Sequence, residues 1–142
     1  MIAPRRRGLG VLLAGLLLAG CATEEDIAAT RDALDQLETD LLEEHPELDD
    51  VTATYDVSAG VDRVSAISVR GSAALDRDEE YRDLAERIIE RTWTSSIPEI
   101  SELIVRLREA DTQEFHGTRD VFGDQVVDDR ELEARFGPRA QG

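Results

Sequence analysis

The chain has one cysteine, Cys21, and neither lysine nor asparagine. A lone thiol cannot close an intramolecular disulfide, so the fold must hold without one. With lysine absent, arginine supplies all 16 positive charges against 32 Asp and Glu, for a formal net charge of −16. That balance argues against a nucleic-acid partner, because phosphate neutralisation needs clustered cations. It also argues against lying flat on anionic lipid. Aromatic residues are few, at 4% of the chain, which leaves little to build a sugar-stacking site, and Trp93 reads as core. No Gly-x-Ser-x-Gly elbow, phosphate-cradling glycine loop or His-Glu-x-x-His occurs. The sequence therefore offers no catalytic set, no metal motif and no cofactor motif, and it reads as a non-enzyme.

What is present is concentrated at the start. Arg5, Arg6 and Arg7 precede an uncharged run from Gly8 to Gly20 that closes on Leu18-Ala19-Gly20-Cys21. At 13 residues the run is too short to span a bilayer, which takes about 20 apolar residues. A basic start, a short apolar core and small residues at the cut read as a secretory signal. An ordinary secretory signal or an uncut anchor gives no reason for this closing order. Leu18-Ala19-Gly20-Cys21 resembles the lipobox of bacterial lipoproteins. The resemblance implies removal of residues 1–20 and a diacylglycerol thioether, with palmitate-type chains, on Cys21. It implies an extracytoplasmic, membrane-anchored location. One acyl chain holds a protein only marginally, whereas two or three anchor it durably. The stretch Glu131–Arg139 resembles the tail of small uncharacterised lipoproteins of high-GC bacteria, which implies no activity.

Cys21 to Gly142 is long enough for one domain and too short for two. Ile27, Leu34, Leu37 and Leu41 recur at helical spacing over Glu24–Glu44. Thr23 can cap that helix, and His45-Pro46 ends it, since the residue before proline leaves helical geometry. The same leucines fit a short heptad stalk or packing on the domain's own sheet. Residues 51–59 alternate, with Val51, Ala53, Tyr55 and Val57 on one face and Thr52, Thr54, Asp56 and Ser58 on the other. Gly60-Val61-Asp62 reads as a turn into a second strand over residues 63–71. Asp78–Trp93 carries an apolar stripe of Tyr81, Leu84, Ala85, Ile88, Ile89 and Trp93. Asp76 or Asp78 can cap it, and the pairs Asp78/Arg82 and Asp83/Arg87 fall at i, i+4. Residues 100–109 and 112–117 read as a third and fourth strand. Asp128 to Phe136 reads as a last helix, capped by Asp128 with Glu131 and stopped by Gly137-Pro138.

The expected architecture is α+β. It is a two-layer αββαββ sandwich in which a four-stranded, mostly antiparallel sheet carries two helices on one face. Residues 21–117 form the domain. Residues 118–142 form an acidic tail with the short helix at 128–136, disordered beyond Pro138. The other face of the sheet meets water and carries Thr52, Thr54, Glu102, Arg106 and Arg108. His116 lies near the end of the fourth strand with Glu114 two residues away, a pairing that can bind metal or move a proton. His45 sits at a helix end, where the dipole favours imidazolium. The acids Asp120, Asp124, Asp128, Asp129, Glu131 and Glu133 crowd one segment, but without the order an EF-hand loop requires.

The favoured function is a non-catalytic binding or accessory module, tethered by its lipid and engaging an envelope protein through the wet face. The alternatives are a small-ligand or calcium-binding lipoprotein and a small envelope enzyme. Replacing the thiol in Cys21→Ser is expected to leave a form that is uncut or released from membranes. Fractionation and gel migration identical to wild type would contradict the lipobox.

Overall fold

A computed structural model describes residues 24–58 and 64–140. Cys21, the Thr23 cap and the turn at Gly60–Asp62 lie outside the described residues. In chain order the elements are α1 (Glu24–Glu44), β1 (Leu48–Ser58), β2 (Val64–Ala73), α2 (Asp78–Trp93), β3 (Glu102–Glu109), β4 (Phe115–Gly117), α3 (Thr118–Phe122), β5 (Val127–Asp128) and α4 (Asp129–Phe136). The strands form one mixed sheet in the order β1-β2-β3-β4, with β5 also on β3.

The period-2 patterns decide which face is buried. Val51 and Ala53 of β1, Ile67 and Val69 of β2, and Leu103, Val105 and Leu107 of β3 all point into one layer. Both long helices cover that layer. α1 contributes Ala33, Leu34, Leu37 and Leu41, and α2 contributes Tyr81, Leu84, Ala85, Ile88, Ile89 and Trp93. The leucines of α1 thus serve the domain's own core rather than a stalk, though Ile27 in its second turn stays exposed. The two helices are pinned by Arg91, which reaches Asp40 at 2.6 Å and Glu44 at 3.0 Å. Arg87 likewise reaches Glu47 at 3.0 Å rather than Asp83 in its own helix. A bond between elements uses the same guanidinium to fix tertiary geometry, which an i, i+4 pair cannot do.

β1 and β2 form an antiparallel hairpin from Leu48↔Ala73 to Ser58↔Val64. β3 lies parallel to β2, from Ala66↔Glu102 to Ala73↔Glu109. α2 is the crossover that this parallel pairing requires. β4 and β5 are antiparallel to β3 and share its outer edge, β5 at Glu102–Leu103 and β4 at Arg106–Arg108. So the expected αββαββ order gains α3 and β5. β4 begins at Phe115 rather than Thr112, because Gln113 takes a left-handed turn with φ 65° and Glu109 N donates to Glu114 O at 2.8 Å.

Helix ends follow the local chemistry. Asp128 Oδ1 accepts from Glu131 N at 2.9 Å, and Glu131 Oε2 reaches back to Asp128 N at 3.4 Å, the expected capping box. At α2 the N-cap is Arg77 rather than Asp76 or Asp78. Glu80 compensates: its Oε2 accepts from both Asp76 N and Arg77 N, each at 3.2 Å. The Arg77 guanidinium beside it holds the Glu80 carboxyl below its usual range. At the close approach of β4 to β3 stands Gly117, where a Cβ would lie 1.8 Å from the Val105 carbonyl oxygen.

The segment after 117 packs on the domain. Val127 of β5 and Leu132 of α4 are fully buried. Beyond Pro138 the chain is held as well. Arg139 Nε donates to Trp93 O at 2.8 Å, its Nη2 donates to Ser95 O at 3.1 Å and to Ile97 O, and its guanidinium lies 5.4 Å over the Trp93 ring. Trp93 Nε1 donates to Gly137 O at 2.9 Å. Sequence periodicity could not show this, because a single arginine satisfying loop carbonyls has no period.

Leu132→Ala is therefore expected to destabilise the domain by about 2–5 kcal/mol in urea unfolding, the range for a buried leucine. A detached tail would give no change.

Candidate functional site

Two places in the fold bring polar side chains together, one on the open face of the sheet and one at the mouth of the covered layer.

On the open face, strand register sets the neighbours. Thr52 pairs with Arg70, and Arg70 pairs with Arg106, so the three lie in one row across β1, β2 and β3. The next row runs from Asp50 through Ser72 and Arg108 to Phe115. Thr54 pairs with Ser68 one row the other way, and Glu102 pairs with Ala66 and Asp128 at the far end. The sequence-expected residues Thr52, Thr54, Glu102, Arg106 and Arg108 thus all share this face. Arg106 and Arg108 lie near Thr52, while Glu102 is set apart. Two members of the patch were missed, Arg70 and Phe115. Arg70 was accessible to reasoning, since extending the alternation of Val64 and Ala66 by four residues places it there. Phe115 was not, because the start of β4 depends on a turn that no pattern announces.

Phe115 is 55% exposed, and the Arg106 guanidinium lies 4.4 Å over its ring. This cation–π contact holds the guanidinium against the ring. Arg108 Nη1 donates to Gln113 Oε1 at 3.4 Å. In the helix layer, by contrast, Arg77, Arg87, Arg91 and Arg135 each hold a carboxylate. Among the described residues, none of Arg70, Arg106 and Arg108 forms an ion pair. On a chain so acidic, three arginines without an ion pair in two adjacent rows, where Asp50 is the one carboxylate, are a local excess of positive charge.

The second place lies at the end of the buried layer where β3 stops and α2 starts. Leu107 pairs with His116, so the His116 side chain faces the helices. The ring is buried and stacks on Tyr81, with centroids 4.7 Å apart and planes at 13°. Tyr81 is itself fixed: its hydroxyl donates to Ala73 O at 2.8 Å and accepts from Leu75 N at 2.9 Å. His116 Nε2 lies 2.7 Å from Glu109 Oε1. Its Nδ1 lies 3.8 Å from Asp120 Oδ2, which also accepts from Gly117 N at 2.7 Å. The Glu109 carboxyl sits below its usual range, chiefly because Thr112 Oγ1 donates to it and then because of His116. Asp78, Glu109 and His116 each offer one donor atom, all within 4.8 Å of one another. The histidine's partner is thus Glu109, seven residues back, and not Glu114. A three-residue β4 and the left-handed turn put Glu114 in the loop, exposed. The same geometry scatters the acidic segment. Asp120 serves Gly117, and Asp128 and Glu131 cap α4, so these carboxylates do not converge on a cation.

No family model matches this chain, and comparison with curated proteins and with solved structures finds no match. Among the described residues no helix is long and apolar enough to cross a membrane.

Tyr81→Phe tests how firmly the floor under His116 is held. It removes the acceptor of Leu75 N and one of the two donors to Ala73 O, which keeps Ala110 N at 3.2 Å, and is expected to cost about 1–2 kcal/mol in urea unfolding.

Proposed function

We propose that the protein is a lipid-anchored extracytoplasmic module without catalysis of its own, and that it engages an envelope protein through the open face of its sheet. The observation that carries this reading is the row of unpaired arginines, Arg70 and Arg106 with Arg108 beside them, braced by an exposed phenylalanine. An anchored acidic domain gains nothing in solubility from such a patch. A planar guanidinium held on an aromatic ring is prepared for bidentate contact with a carboxylate. The occupant that fits is a protein surface bearing Asp or Glu side chains around an apolar spot that covers Phe115. Arginine and aromatic anchors of this kind carry most of the energy in protein interfaces.

The anchor sets the geometry of presentation. Two residues, Ala22 and Thr23, stand between Cys21 and α1. Short of that link the first turn of α1 carries Glu24, Glu25 and Asp26, which anionic headgroups repel. Because α1 is packed on the domain from Thr30 onward, only its first six residues separate the body from the anchor, about 9 Å at 1.5 Å per residue.

The test is capture of envelope proteins by the lipidated chain after mild crosslinking. Arg106→Glu combined with Arg108→Glu is expected to abolish capture of the partner seen with wild type, with a melting temperature nearly unchanged, because both side chains lie outside the core. Phe115→Ala is expected to weaken it by tenfold or so, the scale of a 1.4 kcal/mol contact. Capture unaltered in the double variant would rule out this face, and turnover of an envelope substrate by purified protein would overturn the non-catalytic reading.

A further inference from the structure

We propose that Asp78, Glu109 and His116 bind a single zinc-class divalent ion at the mouth of the covered layer, tying α2, β3 and β4 together. The three come from separate elements: Asp78 is the first residue of α2, Glu109 the last of β3 and His116 the middle of β4. Their nearest donor atoms already lie within 4.8 Å of one another. One imidazole nitrogen with two carboxylates suits zinc, whereas calcium and magnesium take oxygen ligands.

The surroundings support the ligands as a metal requires. His116 cannot swing, because its ring is buried and stacked on Tyr81 at 4.7 Å. Its Nε2 faces Glu109, and its Nδ1 faces the Asp120 carboxylate at 3.8 Å. At 3.8 Å the Asp120 carboxylate is beyond hydrogen-bond reach of Nδ1 and adds negative charge near the ring. Thr112 Oγ1 engages the second oxygen of Glu109, leaving Oε1 turned toward His116. Asp78 is exposed and its side chain is free to close the last gap.

The adjustment is small. Two ligands on a tetrahedral ion with bonds near 2.05 Å stand about 3.3 Å apart. His116 Nε2 and Glu109 Oε1, now 2.7 Å apart, would part by about 0.6 Å. The ion replaces their shared proton, which leaves to solvent, and brings two charges into a place ringed by three carboxylates. Three protein ligands leave the fourth position to water.

This inference does not rest on the open-face reading, since the two sites lie on opposite faces of the sheet. Calorimetric titration of zinc chloride into the full chain tests it. Wild type is expected to show saturable one-to-one binding and a melting temperature that rises with zinc. Asp78→Asn removes a ligand from an exposed position without touching the core and is expected to weaken binding about tenfold or more. His116→Gln is expected to remove it. Many weak sites that Asp78→Asn leaves unchanged would overturn the proposal, as that is zinc adhering to an acidic surface. Calcium binding tighter than zinc at the same residues, or no saturable heat, would overturn it equally.

Discussion

The pairing of β3 on both edges is the constraint on which the rest depends. Its inner edge runs parallel to β2 over eight residue pairs, from Ala66↔Glu102 to Ala73↔Glu109. Parallel neighbours cannot be joined by a tight turn, so the chain must leave the sheet, cross it and return. α2 is that crossing, and its apolar stripe is buried because the crossing places it over Leu103, Val105 and Leu107. The outer edge is divided between β5 and β4. The division leaves room for α3 between them, and with it the sharp approach at Gly117.

The same strand separates the two chemistries. Its odd-numbered side chains Leu103, Val105 and Leu107 go into the core, and Glu109 continues that direction to where the core opens. Its even-numbered side chains, Arg106 and Arg108 among them, go to the open face. A reader of β3 alone would see alternation of apolar and charged residues. Two positions break it: Ile104 on the open face and Glu109 at the last inward position, where a carboxylate finds a buried histidine. The charge balance follows the same division. Arginines of the helix layer are spent on holding α1, α2 and α4 to their neighbours, while those of the sheet's open face are not.

Much of this was legible because periodicity reports burial directly. Val51 to Val57 and Leu103 to Leu107 announce one wet and one dry face, and Tyr81 to Trp93 announces a helix on the dry one. Asp128 with Glu131 announced the start of α4, since a capping box is a local arrangement with a fixed spacing. What did not show was set by contacts distant in sequence. The parallel relation of β2 and β3 depends on where α2 returns the chain, and two hairpins in one sheet read the same either way. The partnership of His116 with Glu109 spans a loop whose shape rests on Gln113. Asp78 joins them from about thirty residues earlier, brought there by the crossover and by no motif. α3 is five residues long and β5 two, below the length at which a period exists.

β1 shows how the opposite edge of the sheet is treated. It has no strand beyond it among the described residues, yet Ala53 N is taken by the Glu38 carboxylate of α1 at 2.6 Å. A half-buried carboxylate occupying an edge N–H discourages another chain from adding there. The outer edge of β3 has no such guard of its own; its cover comes from residues 115–128, with α4 and Arg139 arriving after them. A ribosome making this chain therefore completes the apolar strand Leu103–Leu107 well before the residues that shield it. During that interval the edge is open to any other unfinished copy. Until residues 115–128 are in place, this strand is where an incompletely folded chain exposes an unpaired apolar edge.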